Sequence, residues 1–225
     1  MTRILSVSAL LVGAGVASAA ITGVEWRQVN NATNPINGSA PGSDVIAGAL
    51  WNSASWQTWD LYITGAQGDL VNALDVGGDG GPFSIKVSGG VFNHPAGADT
   101  RSFATEGIFA AMPFDTFATF GGNATTNGTF GGFAGPVNLT GANGELRFTS
   151  FAPAGSPAAL GANGLWVLRV SYNAAADGVL GGNGSRVQVG LPGGATLAFD
   201  VPAVPAPGSV ALMSVAGLAG LRRRR

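Results

Sequence analysis

The chemistry open to this chain is limited by a handful of side chains. His94 is the single histidine, so a nucleophile–histidine–carboxylate triad could run only through it, and a multi-histidine metal site cannot form. It stands in Asn93-His94-Pro95, a turn sequence, which predicts a solvent-exposed loop position. Glycoside hydrolysis needs two carboxyl groups about 5 to 9.5 Å apart. Glu25, Glu106 and Glu145 are scattered, whereas Asp60 and Asp115 each lie beside aromatics in an expected strand. Adjacent strands could pair these two; strand alternation would instead turn both to solvent, and that is the expectation here.

Two further groups could bind rather than react. Asp69, Asp75 and Asp79 lie around a Gly-rich turn whose oxygens suit Ca²⁺, although neither the EF-hand spacing nor a repeated calcium nonapeptide is present. A tight turn between two strands accounts for the same residues without an ion. No Gly-Lys-Ser or Gly-Lys-Thr follows the glycines, so they form no phosphate loop, and no cofactor is called for. Trp51, Trp56 and Trp59 fall within nine residues, flanked by Asn, Ser and Gln. Indole faces stack on the apolar faces of sugars while amides meet the hydroxyls. Trp59, at a strand start, is expected to enter the core, which leaves Trp51 and Trp56 as a platform for polysaccharide or as further core.

The elements that must position these residues are short. Glycine is 37 of 225 residues and charged residues only 10%, about twice and well under half their usual shares, which disfavours surface helices laced by ion pairs. Short β-branched and aromatic runs separated by Gly, Asn, Asp and Pro predict strands at residues 21–29, 58–64, 70–76, 83–88, 114–120, 146–151, 165–172, 186–190 and 195–200. Alternation would place Trp166, Leu168, Val170 and Tyr172 on one side of a strand and Val167, Arg169 and Ser171 on the other. The expected fold is all-β, an antiparallel β-sandwich or jelly roll, with helix confined to a turn or two. Residues 121–144 read as a long loop pinned by Phe130 and Phe133. There is no cysteine, so packing alone must hold the domain. The Asn-x-Ser/Thr sequons at Asn31, Asn37, Asn123, Asn127, Asn138 and Asn183 serve as loop markers.

The two ends carry a different message. Arg3, the apolar run Ile4 to Val16 and Ala17-Ser18-Ala19 have the order and size of a signal peptide, with cleavage by signal peptidase expected before Ala20. At the other end Pro205-Ala206-Pro207-Gly208 leads into an apolar run, Ser209 to Leu221, and then Arg222, Arg223, Arg224 and Arg225. A helix of about 14 residues covers roughly 21 Å against a hydrocarbon core of about 30 Å, short for a permanent anchor. The arginines favour the cytoplasmic side and would hold everything upstream on the far face of the membrane. This tail resembles the PEP-CTERM sorting signals of Gram-negative-type bacteria. Pro205 and Pro207 match the motif prolines, Ala206 stands in the glutamate position, and Ser209 to Leu221 and Arg222 to Arg225 match the membrane segment and basic end. The resemblance implies processing by an exosortase-like membrane transpeptidase.

Three segments follow: a signal peptide at 1–19, a β domain at 20–201 and a sorting tail at 202–225. Five of the 11 basic residues lie in the two ends, which leaves six against 12 acidic ones between them. A net charge of about −6 disfavours nucleic acid and anionic lipid as partners. The expectation is an exported surface or extracellular-matrix protein, structural or adhesive rather than enzymatic. A secreted carbohydrate-binding module is the alternative, and hydrolysis through Asp60 and Asp115 a third.

Overall fold

The computed structural model describes residues 21–34, 36, 38–40, 55–78, 80–123, 126–176 and 178–204. Its strands are β1 (Gly23–Val29), β2 (Trp56–Thr64), β3 (Leu70–Val71), β4 (Ala73–Asp75), β5 (Ile85–Lys86), β6 (Phe117–Ala118), β7 (Gly122–Asn123), β8 (Thr126–Asn127), β9 (Gly132–Phe133), β10 (Glu145–Leu146), β11 (Thr149–Phe151), β12 (Ala158–Ala159), β13 (Leu165–Asn173), β14 (Arg186–Gly190) and β15 (Thr196–Asp200). One α-helical turn, α1 (Phe103–Glu106), and three 3-10 turns complete the described elements. The fold is all-β and its strand pairs are antiparallel. A four-stranded sheet runs β1-β2-β13-β6, a five-stranded sheet runs β15-β14-β4-β11-β9, and three two-stranded ribbons flank them.

The longest strands, β2 and β13, form the middle of the first sheet. On one face Trp59, Leu61, Ile63, Leu165, Leu168, Val170 and Tyr172 join a buried cluster that also takes Leu74, Val187 and Val189 from the second sheet. One apolar core therefore receives side chains from both sheets. In β14 the period-2 pattern is clean, with Val187 and Val189 buried and Arg186 exposed. In β13 it is not, since all residues from Leu165 to Tyr172 are buried.

Two features explain this departure from the expected alternation. The register against β2 slips between Trp166 and Leu168, so Leu165 faces Ile63, Trp166 faces Tyr62, Leu168 faces Leu61 and Arg169 faces Asp60. A bulge consumes one residue without changing face, and Trp166 lands with Arg169 rather than with Leu168, as expected from strict alternation. The second feature is a covering layer. The segment between Val91, which bridges to Tyr172 at the β13 edge, and β6 covers the outer face of the sheet, with Phe92 N–H donating to Ser171 O at 2.8 Å, Thr116 N–H to Phe92 O at 3.1 Å and Arg169 Nη1 to Pro113 O at 2.6 Å. Phe92, Ala111 and Phe114 form a small second core there, with Trp56 packed against it.

Other expectations need adjustment. The segment 121–144 is not simply a loop: β7 and β8 make a short ribbon, and β9 adds to the five-stranded sheet beside β11. Phe130 and Phe133 do pin it, meeting edge to face at 5.0 Å and packing on the core, where Phe133 also meets Phe148. The residues just after 201 are bonded to the body. Trp26 Nε1 donates to Pro202 O at 3.0 Å and Val204 N–H to Leu180 O at 2.9 Å, so residues 202–204 belong to the folded body.

Candidate functional site

The outer face of the first sheet gathers arginines and aromatics. Arg27 lies over the Tyr62 ring, 4.1 Å from its centroid. Arg101 and Arg169 lie over Trp166 at 5.0 and 4.7 Å, and Arg169 also lies 5.6 Å from the Phe117 centroid. Each such contact contributes about 0.5 to 2 kcal/mol. The cations are themselves neutralised: Arg169 by Asp60, Arg101 by Glu106 through paired 2.8 Å hydrogen bonds, and Arg27 by Glu25 at 2.6 Å. The Trp166 Nε1 donates to Leu168 O at 3.1 Å, which sets the plane of the indole.

Two of these arginines also hold loops. Arg27 Nη1 donates to Asn163 O at 2.6 Å, and Arg101 Nη1 donates to Asn123 O and, at 2.8 Å, to Thr126 O. Between the two loops lies a pocket of about 420 Å³ whose lining includes Tyr62, Trp166, Gly122, Asn123, Asn163 and Gly164. Each arginine thus ties an aromatic of the pocket to a loop at its rim. Burial raises the Tyr62 phenol above its ordinary value, nearby Asp60 adds to this, and Arg27 and Arg169 oppose it. Tyr62 is accordingly a neutral hydrogen-bonding group at physiological pH.

The carboxylates weighed for hydrolysis are not on the surface. Asp60 and Asp115 are 6% and 3% exposed, and His94 is 3% exposed, each contrary to the solvent-facing expectation. The covering layer is the cause, because it buries the face to which alternation assigns Asp60. Asp115 does not lie inside a strand; it caps the 3-10 turn Met112–Phe114, and its Oδ1 accepts from His94 N–H at 2.8 Å and Thr116 N–H at 3.0 Å. The His94 ring tilts against Phe109 at 5.4 Å, and its Nδ1 accepts from Ala96 N–H at 3.1 Å. Burial pushes the Asp115 carboxyl up to about 7 against the pull of those two N–H groups, with Asp99 and Glu106 adding to the rise. Crevices of about 210 and 250 Å³ flank it.

The binding candidates fare differently. Trp59 enters the core as expected. Trp56 is half-buried and meets Phe92 edge to face at 5.7 Å, so at least part of its ring is engaged in packing. Asp69 Oδ2 accepts from Ala66 N–H at 3.0 Å, and Asp75 Oδ1 accepts from Gly77 N–H at 2.7 Å and Thr149 Oγ1 at 2.6 Å. Both aspartates therefore stabilise turns, and among the described residues no group of three or more acidic, histidine or cysteine side chains is placed to hold a metal. Trp51, Asp79, Pro205, Pro207 and Arg222 to Arg225 lie outside the described residues. No helix among the described residues is long and apolar enough to cross a membrane.

Sequence reasoning did not find the pocket. Tyr62 and Trp166 sit inside strands that read as core, and the rim comes from glycine–asparagine segments that read as loops. The available signal was the pairing of an unusually small set of arginines with aromatics. Comparison with known proteins matches this chain to no family model, no curated protein and no solved structure.

Proposed function

We propose that this is an exported protein with a structural or adhesive role at the cell surface or in the extracellular matrix, sorted through its PEP-CTERM-like tail. The observation that supports this reading is that residues next to both expected processing sites are held in the core. Ile21 is 6% exposed within the core and is followed by a 2.8 Å bond from Thr22 N–H to Thr64 O; Val204 is 8% exposed and its N–H donates to Leu180 O at 2.9 Å. Cleavage before Ala20 and processing near Pro205 would leave those contacts intact. Signal peptidase and an exosortase-like enzyme are the partners this requires, and the membrane is engaged only through the tail. The two sheets contributing to one core support a β-sandwich architecture.

Both Asp60 oxygens accept hydrogen bonds from Arg169 in a buried site, away from any substrate, which supports a binding role over hydrolysis through Asp60 and Asp115. A second reading, a carbohydrate-binding module, is favoured by the Tyr62–Trp166 pocket. The export reading is tested by fractionating cells that make the full chain or a chain ending at Val204. The full chain is expected in the envelope or matrix and the shortened one in the medium. Cytoplasmic retention of both would overturn it.

A further inference from the structure

We infer that the pocket between the Gly121–Asn123 and Gly161–Gly164 loops binds a neutral sugar unit of an extracellular polysaccharide, which deepens the carbohydrate-binding reading and rests on it. The first argument is chemical. Among the described residues no charged side chain lines the pocket; its walls are two aromatics, two asparagines, alanines, a leucine and glycine backbone. The part-exposed Tyr62 ring, the amides and the bare peptide groups fit a ligand with apolar C–H faces and many hydroxyls. Trp166, 3% exposed with Arg101 and Arg169 over its ring, adds little open surface. The neighbouring cations are already paired with Glu25 and Glu106, so a uronate, sulfate or phosphate gains no free counter-charge.

The second argument is rigidity. Because Arg27 and Arg101 each stack on a wall aromatic and bond a rim carbonyl, the pocket is held open before a ligand arrives, which lowers the ordering cost of binding. Its volume of about 420 Å³ lies within the usual range of small-ligand sites. The glycines keep it bare. Gly122 and Gly164 have φ of 90° and 81°, and a Cβ would lie 2.6 Å from Gly128 N or 2.5 Å from Ile63 O respectively. Gly161 differs: a Cβ there meets only Gly164 O, at 3.6 Å, an ordinary contact. A side chain can therefore be added at 161 to occlude the pocket without disturbing the backbone.

The test is affinity electrophoresis of the protein as recovered from its host, in gels containing a β-glucan, a mannan or a galactan, with alginate as the acidic comparator. Retardation by at least one neutral polysaccharide is expected, weakened tenfold or more in Gly161→Tyr and Tyr62→Ala and unchanged in Trp56→Ala. Asn163→Ala, at an exposed rim position, is expected to weaken it several-fold with an unaltered melting temperature, which separates ligand contact from misfolding. Retardation by no neutral polysaccharide, by alginate alone, or equally in wild type, Gly161→Tyr and Asn163→Ala would overturn the inference. Loss in Trp56→Ala with Gly161→Tyr unaffected would move sugar binding to the tryptophan pair and overturn this pocket while leaving the carbohydrate reading intact.

Discussion

Arg169 holds Asp60 by two parallel hydrogen bonds, Nε to Oδ1 and Nη2 to Oδ2, both 2.7 Å, across the β13–β2 pair where the two residues stand opposite each other. The third donor, Nη1, reaches Pro113 O at 2.6 Å and so ties the covering layer to the sheet. Burial opposes the guanidinium charge, yet the adjacent Asp60 holds its pKa above the ordinary value. Removing one partner strands the other charge in a buried site, at a cost of about 3–5 kcal/mol. Asp60→Ala is expected to lose that much in urea unfolding, and Asp60→Leu with Arg169→Met less than the two single changes summed. A loss below about 1 kcal/mol for Asp60→Ala would contradict this placement.

Asp115 makes stability depend on pH. Its folded pKa of about 7 exceeds the ordinary 3.8, so between those values the native state holds a proton that the unfolded chain has released. Its contribution is therefore fully present below about pH 4 and is lost as pH rises through 7, by up to about 4 kcal/mol. The ionisable groups around it are His94, Asp99 and Glu106, the last tied to Arg101. Asp115→Asn keeps an acceptor for the His94 and Thr116 N–H groups without the titration. Relative to wild type, its unfolding midpoint is expected to rise between pH 5 and 8; parallel profiles would remove Asp115 as the cause.

Tyr172 and Ser150 present buried hydroxyls without a hydrogen-bond partner among the described residues. Burial also raises the Tyr172 pKa. Tyr172→Phe removes an unsatisfied polar atom and keeps the ring, so it is expected to be neutral or to stabilise by about 1 kcal/mol. Thermal melting decides this, and a marked loss of stability would mean that the hydroxyl is satisfied in solution.

Trp26 helps to hold residues 201–204. Its Nε1 bond to Pro202 O, the Gly182 N–H to Val201 O bond at 2.9 Å and the Val204 bond to Leu180 fasten this segment to the body. Trp26→Phe should cost about 1 kcal/mol and hasten limited proteolysis around residues 200–204. Unchanged cutting there would show that the other two bonds suffice.

Much of this architecture is legible from residue patterns. The β2, β13, β14 and β15 runs announce themselves by alternation or by a continuous apolar stretch, and Trp59 reads correctly as core. The bulge at Trp166 leaves no such mark, since one residue too many in an all-apolar run does not disturb its hydropathy. Burial of His94 and Asp115 was hidden for a different reason: His94 stands in a turn sequence and Asp115 in a run that reads as a half-exposed strand, and only the docking of these segments onto the sheet removes them from water. The pocket was least legible because it depends on Arg27 and Arg101 reaching across the fold to Asn163 and Asn123. Those contacts join segments whose sequences carry no reference to each other.

The most direct test of the account is the intact mass of the protein recovered separately from envelope and medium. A species beginning at Ala20 and ending near Pro205, or carrying a covalent adduct there, is the predicted result. A species that retains Arg222 to Arg225 in the envelope fraction would contradict processing of the tail, and one that retains residues 1–19 would contradict export through a cleaved signal peptide.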